Sequence, residues 1–300
     1  MALIDGNKIA GEIKEEIRKE IVAMINTGKN SPHLAAILIG DDPASHTYVA
    51  YKEKDCKAAG IISSVYKKSD KIKEKELFEI IDFINNDDEI DGLIVQLPLP
   101  DHISEQKVIQ RINPAKDVDG FHPLNIGKMI LNLPTYFPAT PYGIIQLLEK
   151  YNIETEGKNC VVLGRSNIVG TPVSILLSRK TNPGNCTVTI CHSRTRELKK
   201  IAANADILIA AIGKPGYVTA DMVKNNAVVI DVGIHRVKSS KTHSGYNLVG
   251  DVKFDEVSKK CSYITPVPGG VGPMTRIALL QNTLKAAKKI IYPEGYTLSK

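Results

Sequence analysis

Three hundred residues are more than one small core organises and suit two ordinary domains. A hydrophobic content of 43% with 24% charged residues excludes a disordered chain, and no apolar run approaches the roughly 20 residues that cross a bilayer. The net charge of +6 favours acidic ligands only weakly, because a solvated lysine-rich surface accounts for it.

The N-terminus, Met1-Ala2-Leu3-Ile4-Asp5, has neither a basic head nor an apolar signal core, so a cytoplasmic protein is expected. Ile9, Ile13, Ile17 and Ile21 recur once per turn and predict a helix with one apolar face. Leu34 to Ile39 is a short apolar run stopped by Gly40 and reads as a buried strand. Asp42-Pro43-Ala44-Ser45 supplies cap chemistry for a helix running to Gly60. A strand is expected over 62–66. The cluster Lys67, Lys68, Lys71, Lys73 and Lys75 that follows is interleaved with acids and lacks the aromatic residues of a nucleic-acid surface. Next come a helix through Leu77, Ile80, Ile81 and Ile84 and a strand over 92–97, ended by Pro98 and Pro100.

Residues 113–141 hold five prolines and read as a long loop that ends at a domain boundary. Pro141 then opens a helix with Ile144, Ile145, Leu147 and Leu148. From Cys160 the alternation restarts with strands over 160–163, 187–191, 207–211, 228–232 and near Ile264. Such alternation predicts an α/β fold with parallel strands and crossover helices. The five cysteines form no C-x-x-C pair, and with the seven histidines they show no zinc spacing. Reduced thiols and no metal are expected.

The strand Cys160-Val161-Val162-Leu163 runs into Gly164-Arg165-Ser166-Asn167-Ile168-Val169-Gly170, with a helix beginning near Pro172. A tight glycine turn there lets backbone N–H groups meet a pyrophosphate at the positive end of a helix. The pattern is not G-x-G-x-x-G, since Ser166 replaces the second glycine and the last comes one residue late. Alone it is equally an ordinary strand–helix turn. The second strand ends in His192-Ser193-Arg194-Thr195, without the acid that NAD-selective folds place on the ribose hydroxyls. Arg165, Arg194 and the Ser193 hydroxyl suit a ribose phosphate, which favours NADP over a merely solvated strand end. Ala211-Ile212-Gly213-Lys214-Pro215-Gly216 and Asp231-Val232-Gly233-Ile234 also fall at strand ends, where cofactors bind in open sheets; simple turn glycines are the alternative.

Before the boundary, Tyr48 and Lys52 share a helical face one turn apart. A lysine beside a tyrosine in a cleft can donate protons or stabilise charge if burial tunes it, although most helical lysines are solvated. Gln96 stands near a strand end, facing a crevice or solvating an edge. Asp119, in the proline-rich loop, either accepts paired N–H bonds from a nitrogen heterocycle or caps a turn.

Five segments together resemble the methylenetetrahydrofolate dehydrogenase/cyclohydrolase family. They are Gly40-Asp41-Asp42-Pro43-Ala44-Ser45 with Tyr48-Val49 and Lys52; Gln96-Leu97-Pro98-Leu99-Pro100; Lys116-Asp117-Val118-Asp119-Gly120; Gly164-Arg165-Ser166 with Val169-Gly170; and Pro266 to Thr275. They stand in the family's order and span nearly the whole chain; the pair Arg276-Ile277 is the less familiar step. The resemblance implies a substrate domain over 1–140 and a Rossmann-like, doubly wound cofactor domain over 141–274, separated by a cleft. A terminal helix over 275–300 would pack back on the first domain.

It further implies oxidation of 5,10-methylenetetrahydrofolate with NADP, then hydrolysis to 10-formyltetrahydrofolate. Lys52 would be the catalytic lysine, Tyr48 would stack near the folate, Gln96 would orient the lysine and Asp119 would hold the pterin. Pro268 and Gly269 would touch substrate. Gly164, Arg165, Ser166, Ser193 and Ile234 would line the cofactor, with Arg194 added from charge alone. A homodimer is implied, with no nucleic-acid or membrane partner. A dehydrogenase without the hydrolase step, one that prefers NAD, and a non-catalytic folate-binding protein remain alternatives. The chain holds no G-x-x-x-x-G-K-[ST] loop for ATP-driven formate loading.

Overall fold

A computed structural model describes residues 1–239 and 245–293. Along the chain run β1 (Ala2–Leu3), α1 (Gly6–Asn26), β2 (His33–Ile39), α2 (Pro43–Ala59), β3 (Ile62–Lys68), α3 (Glu74–Asn85), β4 (Gly92–Val95), α4 (Glu105–Arg111), α5 (Pro123–Ile130) and α6 (Ala139–Lys150). There follow β5 (Asn159–Leu163), α7 (Gly170–Ser178), β6 (Thr187–Cys191), α8 (Leu198–Ala202), β7 (Ile207–Ala210), β8 (Val228–Asp231), β9 (His235–Lys238), β10 (Tyr246–Val249), α9 (Phe254–Val257), β11 (Tyr263–Ile264) and α10 (Val271–Ala287). The chain forms two compact units, one of Met1–Gly11 with Thr140–Thr275, the other of Glu12–Ala139 with the chain from Arg276 onward.

The second of these holds a three-stranded parallel sheet in the order β3-β2-β4. β2 is central and buried at every position from Leu34 to Ile39, so both its faces are covered, which explains its unbroken apolar run. Ile37, Ile39, Leu77, Ile81, Leu93 and Val108 share one core. Asp42 caps α2 by accepting from the Ser45 backbone N–H at 2.7 Å, with Pro43 in the first turn. From α10, the fully buried Asn282 donates to the carbonyls of Val118 (2.8 Å) and Phe137 (3.0 Å), tying together the chain before and after α5.

The other unit holds a six-stranded sheet in the order β1-β11-β8-β7-β5-β6, all of its pairings parallel. Val161, Leu163, Leu208, Ala210, Val229 and Ile264 form its core. β6 and β7 flank β5 on opposite sides, so strand order reverses beside β5. In an open α/β sheet that reversal leaves a ligand crevice at the carboxyl ends.

The structure corrects several sequence expectations. The first eleven residues do not belong with the three-stranded unit; β1 pairs with β11, Ala2 opposite Tyr263, and adds an edge to the larger sheet. Residues 113–141 are not all loop, because Pro123 at the first turn and the His122 ring, accepting from the Leu124 N–H, start α5. α6 opens at Ala139 rather than Pro141. β4 stops at Val95, although Gln96 still donates its N–H to the Ile37 carbonyl at 2.9 Å. The last helix spans Val271–Ala287 and not 275–300; the expected residues 294–300 lie outside the described chain. The antiparallel pair β9–β10 was not foreseen.

Candidate active site

In the three-stranded unit, Tyr48 and Lys52 lie on one face of α2. The Lys52 ammonium is 5.8 Å from the Tyr48 ring centroid, and the residue is only 8% exposed. Gln96, delivered by the end of β4, accepts from Lys52 Nζ at 3.2 Å through Oε1. Its own Nε2 donates to the Leu97 carbonyl at 2.7 Å, which fixes which end of the amide faces the lysine. Burial pushes the Lys52 amine below the ordinary lysine range, while the charges of Asp119 and Cys56 oppose that shift. Burial likewise raises the Asp119 carboxyl, against the pull of Lys52, and raises the Tyr48 phenol. Such opposed shifts bring an amine and a carboxyl closer to neutral water chemistry.

Asp119 caps no turn. Among the described residues its carboxylate accepts no hydrogen bond, so both oxygens are available to a ligand. Its neighbour Asp117 does the structural work. That carboxylate accepts from the N–H groups of Phe121 (3.2 Å) and His122 (2.8 Å) and from Asn125 Nδ2 (2.8 Å). Burial nevertheless pushes Asp117 up to about 7. Gly120 sits at φ 74° with Phe137 and Pro138 backbone atoms 2.7 Å from where a Cβ would lie, so the loop closes only with glycine.

In the six-stranded unit, the turn after β5 passes against the end of β7. Gly164 has φ 127°, and a Cβ there would lie 2.1 Å from the Ala211 carbonyl oxygen. The Ser166 hydroxyl accepts from the N–H groups of Val169 (3.1 Å) and Gly170 (3.4 Å), which holds the turn that leads into α7. Arg165, Ser166, Ser193 and Arg194 are all exposed, and no acid lies in 192–195. A strand end that carries a cation and no acid, beside a glycine turn, fits a phosphorylated dinucleotide. Ile234 is 46% exposed; Pro268 is exposed and Gly269 partly so, and both belong to this unit.

Sequence reasoning gave no role to three groups. Asp251, fully buried, accepts from the N–H groups of Ile212, Gly213 and Lys214 at 2.7–2.9 Å and sits 2.7 Å from His235 Nε2, so it shapes the loop after β7. Asp231 accepts from Gly233, Asp251 and Val252 backbone, and burial pushes it up to about 6. Asp55 and Arg276 form an ion pair at 2.6 Å beside Tyr48 and Lys52. Asp231 carried a local signal in its strand-end glycine loop, and Asp55 in being one turn beyond Lys52 on the same helical stripe.

A buried lysine on a parallel α/β unit, joined to a doubly wound nucleotide-binding sheet, defines a two-domain dehydrogenase-type protein. Residues 4–119 match the family model of the tetrahydrofolate dehydrogenase/cyclohydrolase catalytic domain, and residues 138–291 match that of its NAD(P)-binding domain. The chain belongs to this family. The bifunctional protein FolD of Cytophaga hutchinsonii is 59% identical over 96% of this chain and 99% of its own. The crystal structure of the bifunctional FolD methylenetetrahydrofolate dehydrogenase/cyclohydrolase of Campylobacter jejuni is 47% identical, with a TM-score of 0.90 over 97% of this chain and 99% of its own. The Trypanosoma brucei enzyme, complexed with NADP cofactor and inhibitor, is 36% identical, with a TM-score of 0.91 over 97% of this chain and 98% of its own.

Proposed function

We propose that Lys52 performs the acid–base step of a bifunctional folate enzyme, with the three-stranded unit holding the folate and the six-stranded unit holding NADP. The enzyme oxidises 5,10-methylenetetrahydrofolate to the methenyl cation and hydrolyses that cation to 10-formyltetrahydrofolate. NADP supplies the hydride acceptor. The chain's own part in the first step is orientation, since hydride transfer needs the two ring systems held face to face. Asp119 offers its free carboxylate to the N–H groups of the pterin, and Tyr48 offers a ring to stack on. Pro268 and Gly269 are proposed to complete the substrate contacts, and Gly164, Arg165, Ser166, Ser193, Arg194 and Ile234 to hold the cofactor.

In the second step water adds to the methenyl carbon and the bond to one folate nitrogen breaks. A proton leaves the water and a proton reaches that nitrogen. An amine biased by burial towards its neutral form and held by Gln96 suits both transfers, and such catalysis contributes about a hundred- to ten-thousand-fold. The observation that carries this reading is the burial of Lys52 against Gln96, with Asp119 left free beside it. A homodimer joined through the cofactor-binding units is part of the proposal, supported by β6 being a sheet edge with Ile190 exposed. No described helix is long and apolar enough to cross a membrane, and a cytoplasmic enzyme is proposed. The test follows methenyl absorbance with purified protein, methylenetetrahydrofolate and NADP. The expected trace rises with NADP and then decays faster than in buffer. A rise without faster decay would leave a dehydrogenase alone, and no rise would point to a non-catalytic binder.

A further inference from the structure

We propose that Arg276 binds a carboxylate of the glutamate tail carried by the folate substrate. The inference rests on the reading that Tyr48 stacks on the folate. Tyr48, Tyr51, Lys52 and Asp55 form one stripe along α2, at the spacing that repeats on a helical face. At the end of that stripe Asp55 accepts from Lys14 Nζ at 2.5 Å through one oxygen and from Arg276 Nε at 2.6 Å through the other. Burial would raise the Asp55 carboxyl, but the hydrogen bonds from Lys14 and Arg276 outweigh it and hold the group below the usual carboxylate range. One anion thus faces two cations, and the cluster keeps an excess positive charge in a setting where the three side chains are only 10–28% exposed.

Arg276 commits only Nε to Asp55. Among the described residues neither of its Nη groups has a hydrogen-bond partner. The guanidinium lies 5.3 Å from the Tyr51 ring centroid, and the Arg276 side chain is 21% exposed. Two parallel N–H donors match a carboxylate better than any other common anion except phosphate. The charge of Arg276 also reaches the Tyr48 phenol, where it opposes the upward push of burial. A folate has its pterin at one end, an aminobenzoyl ring in the middle and glutamate carboxylates at the other end. With the pterin at Asp119 and the aminobenzoyl ring on Tyr48, the next group outward is the acid that this fork fits. Asp55 then acts as a positioning residue: it holds the guanidinium by one edge and turns the other outward.

The test compares KM for 5,10-methylenetetrahydrofolate and for 5,10-methylenetetrahydropteroate, which lacks the glutamate, in wild type and in Arg276→Gln. A charge-assisted pair of this kind is expected to make the wild-type KM about tenfold lower for the full substrate. Arg276→Gln is expected to abolish that difference by raising KM for the full substrate, with the loss in KM and not in kcat. Equal wild-type KM values for the two substrates overturn the proposal even if the variant fails to fold. So does a variant that weakens both substrates equally, because a mere clamp between α10 and α2 would do that. A wild type that turns over neither substrate would instead remove the enzymatic reading on which the inference rests.

Discussion

The two units build their candidate sites from opposite materials. Around Lys52 the proposed chemistry depends on charged side chains taken out of water, each shifted by burial and restrained by another charge. Around Gly164 it depends on backbone, with a turn that only glycine fits and with Arg165, Ser166, Ser193 and Arg194 left in solvent. The first arrangement suits a reacting atom, which needs a tuned proton donor. The second suits a large anionic ligand, which needs many N–H donors and a flexible cationic rim. Substitutions should therefore fail in different ways in the two units.

The sharpest break is Lys52→Met, close in volume but unable to carry a proton. Methenyl hydrolysis should fall about a hundred- to ten-thousand-fold, while NADP titration by fluorescence stays as in wild type. Unchanged hydrolysis would take Lys52 out of the mechanism. On the other side, Gly164→Ala should destabilise by roughly 1–3 kcal/mol or more, because its Cβ would meet the Ala211 carbonyl. It should also weaken NADP binding, whereas Arg165→Ala should leave the melting temperature in place. Calorimetric melts with and without NADP read both effects, and a wild-type melt for Gly164→Ala would contradict the close approach.

A smaller effect lies in pH dependence. Asp117 is pushed from 3.8 up to about 7 in the folded chain, so the folded state holds that proton more tightly than the unfolded one. Stability relative to Asp117→Asn should therefore decline as pH rises through that window and level off above it. Parallel melts across the window check this, and a flat difference would mean that Asp117 is ionised throughout. The smallest effect is expected of Arg194→Gln, which should raise KM for NADP about three- to tenfold. NAD should be affected little, and the effect should shrink with added salt. Equal changes for both cofactors would take Arg194 off the ribose phosphate.

Much of this was legible in order along the chain. Period-four isoleucines marked α1, apolar runs marked β2 and β5, and Asp42-Pro43 marked the start of α2, because these signals act between residues that are neighbours in sequence. The segment 113–141 was misread because proline density suggested loop, while Pro123 in a first turn starts a helix as readily as it breaks one. Tyr48, Lys52, Gln96 and Asp119 could be named one by one, yet nothing local required Gln96 Oε1 to meet Lys52.

The sequence by itself determined the element types, the parallel α/β class and the glycine turn at Gly164, since backbone propensity and hydrophobic period are local properties. Only the tertiary structure decided that β1 adds an edge to the six-stranded sheet, that Asp251 gathers the N–H groups of the loop after β7, and that Arg276 reaches Asp55 across 221 positions. Such pairings depend on which surfaces meet in three dimensions, and charge placement there is set by burial, which no short stretch of residues encodes.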